Sequence, residues 1–138
     1  MSDARILIDT GAIYAFVTRT DKHHRDALAF TKTCLKGGGA FVLADIVFAE
    51  TMTLLKVRLG AATTVKVGRE LRQNPAYLWI PLGAEGERNT WAVFQQYEDK
   101  DWSYTDCAIL ALARRLNISK VFSFDQHFHQ MSAVVRVP

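Results

Sequence analysis

The chain has 138 residues, 49% apolar and 22% charged, with a formal charge of +3 from 17 basic and 14 acidic residues. That excludes a disordered chain and allows one compact domain over 1–138, while the mild charge permits nucleic-acid binding without requiring it. No apolar run approaches the ~20 residues of a membrane helix, and the first residues lack the pattern of a secretory signal, so a cytoplasmic protein is expected.

The elements follow in chain order. "RILI" at 5–8 reads as a buried strand that stops at Asp9, and a short helix follows over 11–18. A helix over 22–35 has Asp21 as its candidate cap. "KGGGA" at 36–40 is a helix stop and turn; it lacks the lysine and hydroxyl of a phosphate-binding loop. "AFVLA" at 40–44 is a strand. Asp45 is placed to cap a helix over 46–59, which Gly60 ends, and a further helix over 61–73 stops before Pro75. "YLWI" is a strand bounded by Pro75 and Pro81, and a helix covers 85–98. "KDWSY" is a loop. A helix over 104–116, a strand "VFSF" at 121–124 and a last strand "VVRV" complete the order. Short apolar strands alternating with amphipathic helices imply a parallel sheet covered on both faces. Cys34 and Cys107 form no CxxC pair and no disulfide framework, and both read as core or helix residues.

The acids fall in two kinds of place. Asp9 and Asp125 directly follow the strands "RILI" and "VFSF". Ligands of an open parallel sheet bind beyond the carboxyl ends of its strands. Glu50 lies one turn into its helix on a stripe with Ile46, Thr53, Leu54 and Val57, read as core-facing. Asp106 begins another helix, above Ile109, Leu110 and Ala113. Helix starts lie at the same sheet edge, so four acids from four segments can meet in one pocket. Crowded, partly buried carboxylates repel one another and resist ionisation, and no lysine or arginine adjoins them along the chain. A divalent cation resolves the conflict, and all-oxygen ligands suit Mg²⁺ or Mn²⁺. Each acid also has a structural reading. Asp106 has capping-box spacing with Ser103, Asp9 and Asp125 can cap the turns after them, and Glu50 can join a buried ion pair.

The ordered set "ILIDTGAIYAF", "LADIVFAETMTLL", "DKDWSYTDCAILALA" and "VFSFDQHF" resembles the PIN-domain family, and most of all its VapC-like ribonucleases, the toxins of type II toxin–antitoxin pairs. The resemblance runs from the first strand to the last. It implies a three-layer α/β/α sandwich with a central parallel sheet of about five strands. It also implies a Mg²⁺- or Mn²⁺-dependent endoribonuclease whose catalytic acids are Asp9, Glu50, Asp106 and Asp125. Asp9 and Asp106 would ligate metal directly; Glu50 and Asp125 would hold metal-bound waters or a second ion. Thr10 stands at the family's hydroxyl beside the first acid and Thr105 at the one before the third, where a helix N-cap is an equal reading. Asp101 matches an acid of some relatives or is a loop residue only. A cognate antitoxin that blocks the acidic pocket, with an arginine, and a homodimer are implied as well. The short helix with Ile13, Tyr14, Phe16 and Val17, and the helices over 46–73, are candidates for an apolar partner groove or simple core.

With four of the 14 acids screened by metal, 17 bases face ten acids, an excess of seven that suits an RNA track around the site. Lys56, Arg58, Lys66, Arg69, Arg72, Arg114 and Arg115 are candidates for it, each otherwise a solvated surface charge. Trp102 and Tyr104 are candidates for stacking on bases or for packing. His127 and His129, two residues apart, fall on different sides of a helix and suit zinc poorly; His23 and His24 read as solvated. Three other activities stay open: a PIN nuclease of RNA processing or decay, a non-catalytic binding module of the same fold, and a haloacid-dehalogenase-type phosphatase. The last expects a second acid at the position held by Gly11. The RNA target is not written in the sequence.

Overall fold

The computed structural model describes residues 4–138. In chain order the elements are β1 (Arg5–Ile8), α1 (Thr10–Val17), α2 (His24–Lys36), β2 (Ala40–Ala44), α3 (Asp45–Leu59), α4 (Ala61–Gln73), β3 (Tyr77–Ile80), α5 (Gly83–Gln96), α6 (Tyr104–Leu116), β4 (Lys120–Phe122), a 3-10 turn (Gln126–Gln130) and β5 (Val135–Val137). The five strands form one sheet in the order β3-β2-β1-β4-β5, and all pairings are parallel. Leu7 of the central β1 lies opposite Val42 on one side and Val121 on the other.

Burial explains these elements. Ile6, Leu7 and Ile8 are buried on both faces of the sheet, as are Phe41 to Ala44 in β2. Such continuous apolar runs can be satisfied only between two helical layers. Each fully buried large side chain contributes about 1.5–3 kcal/mol. Phe41 and Phe122 meet at 5.5 Å between ring centroids, and Phe30 packs on Phe122 at 4.7 Å. The edge strand β3 is half exposed at Leu78 and Trp79, as its position dictates. Helix α6 is buried from Thr105 to Ala113, which explains its apolar run "AILALA". Cys107 is buried and Cys34 half-buried, and both are free thiols. Among the described residues no helix is long and apolar enough to cross a membrane.

The structure corrects several local expectations. α3 buries Val47, Thr51 and Leu55, not the stripe through Glu50; Val57 of that stripe is 82% exposed. The helix is apolar on more than one side, so periodicity alone could not choose the inner face. Asp45 is the first helical residue instead of the cap; its Oδ1 accepts from the Ile46 and Leu82 amides and fastens α3 to the turn before α5. Asp21 accepts from the His23 amide at 2.9 Å and closes the turn before α2, without capping the helix itself. β4 ends at Phe122, two residues early; the Ser123 amide still donates to the Val137 carbonyl, while its side chain reaches Asp9.

Candidate active site

Parallel strands put the ends of β1, β2 and β4 at one edge, and the starts of α1, α3 and α6 with them. There Asp9, Glu50, Asp106 and Asp125 line a single cleft of about 550 Å³. Thr10, Tyr14, Asp21, Lys22, His23, Ser103, Phe124 and His127 complete its walls.

Asp9 is the deepest acid, 6% exposed. It caps α1, its Oδ1 accepting from the Thr10 amide at 2.9 Å, and its Oδ2 accepts from the Ser123 hydroxyl at 2.8 Å. Burial, opposed by the Ser123 bond and reinforced by the charges of Asp106 and Asp125, pushes its pKa up to about 7. Asp106 forms the capping box read from the sequence: its amide donates to Ser103 Oγ and its Oδ2 accepts from the Ser103 amide. Burial raises its pKa, despite hydrogen bonds from Ser103 and His127. Asp125 caps the 3-10 turn, accepting from the His127 amide at 2.8 Å. The structural readings of these three acids hold, and each is also in the cleft. Glu50 is exposed and makes no ion pair among the described residues; its Oε2 accepts from the Thr105 hydroxyl at 2.7 Å.

Among the remaining expected residues, Thr10 is buried in the cleft floor, with its Oγ1 3.4 Å from that of Thr51. Thr105 orients Glu50; the N-cap of α6 is Ser103 instead. Asp101 is not brought into the cleft. It is exposed in a neighbouring depression with Asp99 and Lys100, beyond Asp125 and His127. Trp102 is 5% exposed, its Nε1 donating to Gln130 Oε1 and its ring packed on Tyr97, so it is closed to a base; Tyr104 is 37% exposed.

The cations are dispersed. Arg58 lies over the Tyr14 ring at 5.5 Å, Arg72 over Trp79 at 4.8 Å, and Arg115 faces Glu85 at 3.9 Å.

Sequence reasoning missed two partners of the acids. Ser123 bridges them, donating to Asp9 and accepting from the Asp125 amide at 2.9 Å. A serine inside an apolar strand two residues before an acid was the available signal. His127 places Nδ1 2.9 Å from Asp106 Oδ2 and 3.3 Å from Asp125 Oδ1. The Asp106 hydrogen bond is the main cause of its raised pKa, followed by desolvation, which opposes it, and by the carboxylate charges. His129 is exposed and takes no part. His23, expected to be solvated, stacks on Phe124 with ring centroids 4.3 Å apart, and His24 Nδ1 lies 2.8 Å from the Ala15 carbonyl.

These residues fit a hard divalent cation. Three carboxylates crowd together, and the burial that lifts Asp9 to about 7 penalises a charge that only a partner could restore. One donor atom each from Asp106, Asp125 and His127 lies within 4.8 Å of the others. The carboxylate oxygens suit Mg²⁺ or Mn²⁺, whereas the imidazole is a donor that softer ions such as zinc also take.

The family model described as PIN domain matches residues 6–134. A curated relative from Archaeoglobus fulgidus, VapC ribonuclease, is 31% identical over 124 residues, covering 88% of this chain and 78% of the relative. Among solved structures, Mycobacterium tuberculosis VapC20, described as a sarcin-ricin loop cleaving toxin, superposes with a TM-score of 0.83 at 21% identity, covering 94% of this chain and 96% of that one. A toxin–antitoxin complex from Klebsiella pneumoniae superposes with a TM-score of 0.63 at 20% identity, covering 94% and 95%.

Proposed function

This chain belongs to the PIN domain family, and on that footing we propose that it is a Mg²⁺- or Mn²⁺-dependent endoribonuclease, the toxin of a type II toxin–antitoxin pair, formed as one domain over 1–138. The observation that carries the reading is the meeting of Asp9, Glu50, Asp106 and Asp125 in one cleft with an incomplete complement of positive charge. A carboxylate whose pKa burial raises, set in a cleft beside other acids, is the arrangement that functional sites favour.

Asp9 and Asp106 would hold the cation, with Asp125 and His127 beside them. When bound, the ion supplies a lowered pKa for water and positive charge opposite the phosphate oxygens. The chain's own groups supply orientation. Ser123 fixes the Asp9 carboxylate and, through the Asp125 amide, the start of the 3-10 turn. Thr105 holds one Glu50 oxygen, which leaves the other to orient a water for in-line attack. Attack by water leaves a 5′-phosphate and a 3′-hydroxyl.

The partners are an RNA substrate, an antitoxin over the acidic cleft and a second copy; the similar fold from Klebsiella pneumoniae was solved as a toxin–antitoxin complex. For that second copy the structure offers the aromatic row Trp91, Phe94 and Tyr104, which are 54%, 38% and 37% exposed. It adjoins the α3 groove lined by Ile46, Leu54, Val57 and Thr105. Contiguous apolar surface of this kind marks interfaces more often than free surface. A cytoplasmic location goes with this reading.

The test is cleavage of cellular RNA with Mg²⁺ or Mn²⁺, mapped at its 5′ ends, beside Asp9→Asn. Discrete 5′-phosphate ends lost in Asp9→Asn support the proposal; full activity of Asp9→Asn, or 2′,3′-cyclic phosphate products, overturns it.

A further inference from the structure

One wall of the cleft is built from Asp21, Lys22 and His23 in the turn between α1 and α2, and it has no part in the chemistry above. The turn is firmly held. The Asp21 amide donates to the Thr18 carbonyl and the His24 amide to the Asp21 carbonyl, both at 3.0 Å. The Asp21 side chain closes on the His23 amide, and His24 Nδ1 lies 2.8 Å from the Ala15 carbonyl. The His23 ring lies 3° from parallel to Phe124, joining this turn to the segment that carries Asp125.

Two side chains of this wall have unspent capacity. Lys22 is exposed and lines the cleft, yet among the described residues no acid lies within ion-pairing distance of it. His23 makes no ring hydrogen bond among the described residues; its imidazole serves only the stack with Phe124, and both rings line the cleft. A floor of carboxylates repels a phosphodiester strand, so productive binding needs attraction from another quarter of the same cleft. An unpaired ammonium and a flat aromatic shelf are the two groups that bind an unpaired strand without reading its sequence.

We propose that this wall grips the substrate: Lys22 takes a phosphate adjoining the scissile one, and the His23–Phe124 stack takes a base of the same unpaired strand. The assignment rests on the ribonuclease reading and adds to it the residues that hold the strand. It requires a single strand or an opened loop at the site, since a base in a duplex has no free face for the shelf.

The test uses the full chain carrying Asp9→Asn, so that a bound strand stays intact, and a short labelled single-stranded RNA followed by fluorescence anisotropy at rising potassium chloride. Lys22→Ala should raise Kd about fivefold and flatten the slope of log affinity against log salt by about 0.7, the value for one lost phosphate contact on a single strand; Lys22→Arg should restore both. His23→Ala should raise Kd about tenfold, and His23→Tyr, which keeps a stacking ring, should restore it. Lys36→Ala, at the opposite end of α2, controls for net charge and should leave the slope as it is. An unchanged Kd in Lys22→Ala and His23→Ala, or equal slopes for Lys22→Ala and Lys36→Ala, overturns the proposal. So does binding lost in His23→Tyr at an unaltered melting temperature. If the unsubstituted chain cleaves RNA while these variants bind normally, the wall assignment falls alone. If it neither binds nor cleaves RNA with Mn²⁺, the ribonuclease reading falls with it.

Discussion

Replacing Asp9 by Asn should abolish cleavage and, in the absence of metal, make the protein more stable at mildly alkaline pH. The carboxyl is buried and its pKa rises from 3.8 to about 7 on folding, chiefly through desolvation. The folded state therefore holds this proton more tightly than the unfolded chain. Its stabilising contribution is fully present below the unfolded pKa and is lost as pH rises through about 7. At about 1.4 kcal/mol per pH unit, that is roughly 4 kcal/mol across the whole range and roughly 3 kcal/mol between about pH 5 and about pH 8.5. Asn carries no charge, and its amide can keep a hydrogen bond to Ser123 while its oxygen accepts from the Thr10 amide, the two contacts Asp9 makes. Urea unfolding of both proteins in EDTA, at about pH 5 and about pH 8.5, should show the difference between them shifting in favour of Asn by roughly 3 kcal/mol. Mn²⁺ at about 100 times its Kd should then restore roughly 2.7 kcal/mol to the unsubstituted protein and less to Asp9→Asn. A difference that is flat with pH, or a variant equally destabilised at both, would refute the argument that burial strains this charge.

Two further outcomes are expected. Ser123→Ala removes the donor to Asp9 and the acceptor for the Asp125 amide, and should cost about 1–3 kcal/mol in urea unfolding. The cost should be larger above the Asp9 pKa, because the hydroxyl stabilises the ionised form. Trp91→Glu, in the aromatic row of α5, should convert a dimer to a folded monomer in sedimentation, with the circular dichroism spectrum unchanged; a dimer that survives would move the interface elsewhere.

The sequence carried the fold because each signal was local and strong. The buried runs at β1 and β2, the glycine at position 60 with φ +86°, and Pro75 and Pro81 around β3 left little choice. It also located the four acids, because strand ends and helix starts of a parallel sheet share an edge. What it could not show depended on contacts between distant segments. Helix α3 has apolar residues on several faces, so only packing revealed that Val47, Thr51 and Leu55 face inward while Glu50 faces the cleft. Ser123 looked like one more residue of a buried strand until β4 ended one residue before it. The spacing of His127 and His129 argued against a shared metal, and the structure leaves His129 exposed. That spacing also hid that the tight 3-10 turn carries His127 alone back to Asp106. Asp101 and Trp102 sit in the loop before α6, and nothing local distinguishes a loop acid from a cleft acid, or a surface indole from one buried against Tyr97.

The account's central claim is that Asp9, Asp106 and Asp125 crowd together to hold a divalent cation. Crystals soaked in manganese and measured for anomalous scattering test it most directly. A peak within coordinating distance of Asp9 and Asp106, lost in Asp9→Asn, is the predicted result. A map with no manganese in the cleft at saturating concentration, while the carboxylates remain gathered, would contradict it.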